Sequence, residues 1–219
     1  MSSKATGKID TNWFVDLLMT FAPKSVETDG KTPEQMTKEA SWEAFGISSV
    51  AALPPGPIGW ATILPELAAV LKIQTNLIYR IATFYGKQGK VNHTLILLIF
   101  ANEAGLAIGQ TLAKRMGTKL VIRSLGSKAL RPIAQKVAAR IGARITQRAV
   151  GRWVPFVLAP VFGAFSKSMT TKIGREADKL LRQDIEFVEM AECPNGHEVP
   201  ADVKFCPECG ALMKQEILV

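Results

Sequence analysis

The sequence predicts an all-α protein: a multi-helix body of about seven or eight Gly/Pro-kinked helices, then a small C-terminal zinc-ribbon β-hairpin. Three observations predict it. Apolar residues make up 47% of the 219 residues and mean hydropathy is +0.14, which excludes intrinsic disorder as the main state. Most of these residues recur at helical spacing between Gly and Pro marks. All three cysteines, Cys193, Cys206 and Cys209, fall in a turn-rich tail unlike the rest of the chain. The expected division is a helical domain over residues 1–190 and a ribbon over 191–219.

In chain order, residues 12–21 read as a short helix started by Asp10 or Thr11 and stopped at Pro23. Trp13, Phe14, Leu17 and Leu18 give it one apolar face. Thr32-Pro33-Glu34-Gln35 is a helix start in which Thr caps, Pro fills the first helical place and Gln reaches back from N3. That helix is expected to end at Gly46. The Pro-rich turn over residues 53–60 leads into the longest clear helix, residues 66–85, with Pro65 kinking its opening and Gly86 as a left-handed stop. Residues 91–101 open a strongly apolar helix. The chain then breaks at Gly117, Gly126 and Pro132, passes a Pro-marked segment over residues 153–165, and resumes as an amphipathic helix over 166–189.

Residues 104–175 contain no Asp or Glu but fourteen Lys or Arg, so a chain of net charge +8 carries −6 outside this block. Within it, Lys136, Arg140, Arg144, Arg148 and Arg152 follow at steps of four, beside an apolar row of Val137, Ile141, Ile145 and Ala149. Each step of four advances a helix by about 40° beyond one turn, so the rows wind together and arginine stems can cover apolar surface. Three readings compete: a solvated face, a membrane surface and nucleic acid. Apolar neighbours and the interfacial residue Trp153 favour anionic lipid headgroups as the partner. Nucleic acid ranks behind, for want of interleaved aromatics or a known motif.

Cys193-Pro-Asn-Gly-His197 and Cys206-Pro-Glu-Cys209-Gly210 stand eight residues apart. Zn²⁺ takes four tetrahedral N or S ligands, and two tight turns facing each other supply Cys193, His197, Cys206 and Cys209. The longer imidazole accommodates His197 standing one place later than a second cysteine would. With every coordination place filled by protein, the Zn²⁺ is expected to be structural. Glu198, Asp202 and Glu208 suit this ribbon to a protein partner better than to phosphate.

No catalytic residue is expected. Cysteine is consumed by the metal, and His93 alone leaves no triad. Glu66 and Glu103 read as paired acids, with Arg80 or Lys72 as candidate bases. Gly86-Lys-Gln-Gly89-Lys90 lacks the first Gly and the Ser/Thr of a phosphate loop. The polar N-terminus shows no leader, and no uncharged run makes an ordinary span, so the expected place is cytoplasmic, peripheral at the inner face of the membrane.

Two stretches together resemble the EcsC family. One is Leu53-Pro-Pro-Gly-Pro-Ile-Gly-Trp60, followed by an apolar helix that holds Glu66 and closes on Ile81-Ala-Thr-Phe-Tyr85-Gly86. The other is Pro160-Val-Phe-Gly163-Ala-Phe, followed by Thr171-Lys-Ile-Gly174-Arg-Glu-Ala177. Pro65 interrupts a helix the family runs straight, and Glu66 stands where the family usually carries Asp. The resemblance implies a helical, membrane-associated bacterial protein of a family with no established catalytic activity. The combined expectation is a non-enzymatic protein that binds anionic lipid through its basic block and docks a protein through its ribbon. The alternatives are a membrane-perturbing or channel-forming protein and a sequence-independent nucleic-acid binder.

Overall fold

A computed structural model of the chain describes residues 30–51, 63–106, 112–116, 119–125, 127–149, 155–201 and 203–213. The helix expected over residues 12–21, the Pro-rich turn over 53–60, and both Arg152 and Trp153 lie outside the described residues. The described chain is mostly helical, with α1 (Pro33–Ala51), α2 (Ile63–Phe84), α3 (His93–Glu103), α4 (Ser127–Ala149) and α5 (Pro155–Leu181). Four strands join them: β1 (Ala113–Met116), β2 (Lys119–Ser124), β3 (Asp184–Glu192) and β4 (Glu198–Pro200).

The helix ends follow local chemistry. At the start of α1, the Thr32 amide donates to Gln35 Oε1 (2.9 Å) and the Gln35 amide to Thr32 Oγ1 (3.3 Å), a reciprocal capping box. The helix then runs past Gly46 to Ala51, further than expected. At the end of α2, Gly86 takes φ +64°, Lys87 N–H donates to Ala82 O (2.7 Å) and Gly86 N–H to Thr83 O (2.9 Å). That pairing satisfies carbonyls the last turn would otherwise leave open. The Asn92 side chain caps α3 by accepting from the Leu95 amide at 2.9 Å.

The prolines interrupt less than their identity suggests. Pro65 is the third residue of α2, among the first four N–H positions that have no intrahelical acceptor anyway. Pro132 and Pro160 each sit six residues into α4 and α5 and forfeit one early hydrogen bond. Both helices continue, so residues 155–181 form one helix rather than a separate apolar segment and an amphipathic one.

The expected all-helical body is corrected in two places. Residues 113–116 and 119–124, inside the basic block, form the antiparallel strands β1 and β2. Residues 184–192 form β3, which lies parallel to β2 with Leu120 opposite Ile185 and Ile122 opposite Phe187. Leu120, Ile122 and Ile185 are buried, while the Lys119 ammonium donates to Glu186 Oε2 across the pair at 3.0 Å. Alternate residues thus face core and solvent, a period of two that helix formation would scramble. The sheet order is β1-β2-β3-β4. Residues 184–189 of β3 pair with β2, and residues 190–192 pair antiparallel with β4. One strand therefore serves both the body and the tail.

The core is centred on α3, whose residues from Thr94 to Ala101 are all buried between α4, α5 and β2. α1 crosses α5 closely because two glycines allow it. A Cβ on Gly163 would collide with Ser49 and come within 2.8 Å of the Phe45 ring, and one on Gly174 would lie 2.5 Å from Thr37 Cγ2. These are the glycines of the family-like motifs. Along the same seam the Ser48 and Ser166 hydroxyls meet at 2.6 Å, and on the neighbouring α2–α5 contact Gln74 Nε2 donates to Thr170 Oγ1 at 3.1 Å.

Candidate metal centre

The tail is built as two turns, each carried at the end of an antiparallel pair. The β3–β4 pair presents residues 193–197, and the Phe205–Leu212 bridge presents residues 206–211. Each turn needs one left-handed residue, supplied by Gly196 (φ +82°) and Gly210 (φ +69°). The turns close in matching fashion: Gly196 N–H donates to Cys193 O and Gly210 N–H to Cys206 O, both at 2.8 Å. Cys193 N–H donates to His197 O, and Cys206 N–H to Ala211 O, both at 2.9 Å.

This geometry brings together all four residues singled out in the sequence. The ligand atoms of Cys193, His197, Cys206 and Cys209 lie within 4.8 Å of one another. A tetrahedral zinc with bonds of about 2.3 Å to sulfur and about 2.0 Å to nitrogen requires S···S edges of about 3.8 Å and S···N edges of about 3.6 Å. Cys193 Sγ to Cys209 Sγ is 3.8 Å, and His197 Nδ1 stands 3.5 Å from Cys193 Sγ and 3.7 Å from Cys206 Sγ. The donor set and its edges fit a zinc-sized ion, with Nδ1 as the histidine ligand.

The surroundings favour thiolate. Burial pushes the Cys193 thiol up, but the amides of His197 and Asn195 outweigh it and leave the group below its ordinary value. The His197 amide donates to Cys193 Sγ at 3.3 Å. Hydrogen bonds from the Ala211 amide and the Asn195 side chain bring Cys209 down to about 6. Cys206 is held up by burial, and hydrogen bonds with Cys209 and Cys193 raise His197. A resident ion would reinforce the thiolates of Cys193 and Cys209 and oppose the burial that holds Cys206 up.

One supporting residue escaped the sequence reading. Glu208 Oε2 stands 3.5 Å from His197 Nε2, on the far side of the ring from the thiols. A carboxylate there favours a proton on Nε2, which leaves Nδ1 to face the thiols. Its place in the Cys206-Pro-Glu-Cys209 turn, with side chain towards the other turn, was the available signal.

No family model, curated protein or solved structure matches this chain. Its chemistry therefore has to be argued from its own residues. Of the basic row, Lys136 and Arg140 stand exposed on α4, whereas Val137 and Ile141 of the parallel apolar row are buried in the core. Arg144 and Arg148 belong to the same helix. The two lysines of the Gly86-Lys-Gln-Gly-Lys90 loop are spent on backbone: Lys87 Nζ donates to the carbonyls of Leu181 (2.8 Å) and Gln183 (2.5 Å), and Lys90 Nζ to Ile185 O (2.6 Å). Lys87 caps the end of α5 and Lys90 ties to the start of β3, instead of cradling phosphate. Arg80 pairs with Glu39 at 3.4 Å, not with Glu66.

Proposed function

We propose that the protein is a non-enzymatic, membrane-associated member of the EcsC family that binds anionic lipid surfaces through its basic block and docks a protein through a structural zinc ribbon. The observation that carries the lipid half is the orientation of α4. Val137 and Ile141 of its apolar row are buried in the core, so the exposed ammonium and guanidinium of Lys136 and Arg140 are what this part of the helix offers outwards, and neither makes an ion pair among the described residues. Contact with lipid is then electrostatic rather than insertional, and screened by salt. No helix among the described residues is long and apolar enough to cross a membrane.

The docking half rests on Phe205 and Leu212, which face each other across the ribbon's bridge and are 60% and 66% exposed. Large apolar side chains paired in the open are poor solvent neighbours and good anchors for a partner. The zinc would be held by Cys193, His197, Cys206 and Cys209 and would stabilise the ribbon that presents them.

Flotation with anionic and neutral vesicles at low and high salt tests the reading. Wild type should float on anionic vesicles at low salt, and Lys136→Glu/Arg140→Glu should not. Flotation that survives high salt would favour the membrane-perturbing alternative. Absence of flotation from a folded protein would refute lipid binding.

A further inference from the structure

A groove of about 870 Å³ opens between α1 and the second half of α5, and none of its lining residues belongs to α4 or to the ribbon. Its walls come from one face of each helix. On α5, Lys167, Thr171, Arg175 and Asp178 recur at steps of three and four, continued by Arg182 just past its end, and on α1 Glu34, Lys38 and Trp42 recur at steps of four. The close crossing at Gly174 forms part of the floor.

The charge in this groove is poorly balanced. Of its two acids, Asp178 is already committed: Tyr85 Oη donates to Oδ1 at 2.6 Å and the Arg182 guanidinium to Oδ2 at 2.8 Å. Only Glu34, in the first turn of α1, remains against Lys38, Lys167 and Arg175. Those three cations make no ion pair among the described residues. Lys167 Nζ instead stands 3.2 Å from the centroid of the Trp42 ring, a cation–π contact. Two large apolar side chains lie at the same opening half in solvent, Trp42 at 51% and Phe84 at 46% exposure. A smaller depression of about 380 Å³ continues along α5 through Lys167 and Arg175 and adds Lys172.

We infer that this groove binds a single anionic phospholipid, its phosphate held between Lys38, Lys167 and Arg175 and its glycerol end and first chain carbons lying on Trp42 and Phe84. Lys and Arg supply the charge-assisted hydrogen bonds a phosphate takes. Exposed rings at the opening supply what a hydrated inorganic ion would gain nothing from, which commits the site to lipid. The volume lies within the range of small-ligand sites, about 300–1,000 Å³, enough for a headgroup while the chains stay in the bilayer. The inference rests on the membrane reading for its partner class, but it uses different residues.

The test is a titration with dihexanoyl phosphatidylglycerol below its micelle concentration, so that no membrane is present. Trp42 fluorescence is read in a variant with Trp13, Trp60 and Trp153 changed to Phe, and calorimetry on the unmodified chain reads the same binding should that variant fold poorly. A saturable response is expected, with none to dihexanoyl phosphatidylcholine or inorganic phosphate. Arg175→Gln should weaken it about ten- to a hundredfold, the loss of one charged hydrogen bond, and Lys136→Glu/Arg140→Glu should leave it unchanged. No saturable response, an equal response to phosphate, or wild-type binding by Arg175→Gln would each overturn the inference. So would a response to an acidic peptide in place of lipid. Flotation of wild type without soluble-lipid binding would leave the α4 surface standing and remove the groove. Soluble-lipid binding with undiminished flotation of Lys136→Glu/Arg140→Glu would do the reverse.

Discussion

The body buries one continuous apolar interior, from Met36 on α1 through α3 to Ile185 on β3, whereas the tail's own interior is Cys193, Val199, Cys206 and Met213. Two of those four residues are ligand candidates. Segments shorter than about 40 residues rarely bury enough to fold unaided, so a tail this small needs bonds that apolar contact cannot supply. The body needs none of them. Two regions joined by one strand thus depend on different forces, and each can be attacked separately.

The largest effect is expected from Cys206→Ser. Apparent zinc free energies in small fingers are about 10–16 kcal/mol, so losing one ligand should empty the site. Metal analysis should show no retained zinc, and hydrogen exchange should show residues 193–213 unprotected, with helical circular dichroism close to wild type. A collapse of the helical signal would show that the body leans on the tail, and the contrast would fail. The converse attack is Gly174→Val, which forces a side chain into Thr37 where α1 crosses α5. Overpacking of this kind costs about 1–3 kcal/mol, read as a lower urea midpoint at unchanged zinc content.

Smaller changes sharpen the contrast. Glu208→Gln keeps the four ligands but weakens the orienting contact on His197 Nε2, so competition with a chelator should show about tenfold weaker zinc. The urea midpoint of the body should not move. Thr32→Ala removes half of the capping box on α1 and should cost about 1 kcal/mol in body stability, with zinc affinity unaltered. A change in zinc affinity there would mean the two regions communicate through the α1–α5 crossing.

What the sequence disclosed was whatever short-range chemistry decides. The capping box of Thr32 and Gln35, the stop at Gly86 and the four metal-ligand candidates all act within a few residues, and each was found at the expected place. The sheet was hidden for a physical reason. β2 pairs with β3 across about sixty intervening residues, Lys119 opposite Asp184 at one end and Ser124 opposite Glu189 at the other. The acids that balance the basic strand therefore lie outside the acid-free block that drew attention. The usable signal was short: Glu186 stands between Ile185 and Phe187, but Val188 breaks the alternation after one repeat. The groove between α1 and α5 was invisible for the same reason, since Trp42 and Lys167 meet only through tertiary packing.

β3 belongs to the body's sheet at one end and to the β3–β4 pair at the other, with no loop between. Nine extended residues make a strut of about 30 Å, and a paired strand resists the bending and twisting that a flexible tether permits. Cargo gripped at Phe205 and Leu212 would be held at a set bearing from the α1–α5 groove, like a tool on a fixed handle. Its presentation to a surface beneath would then be a matter of angle, decided by the chain itself, rather than of reach.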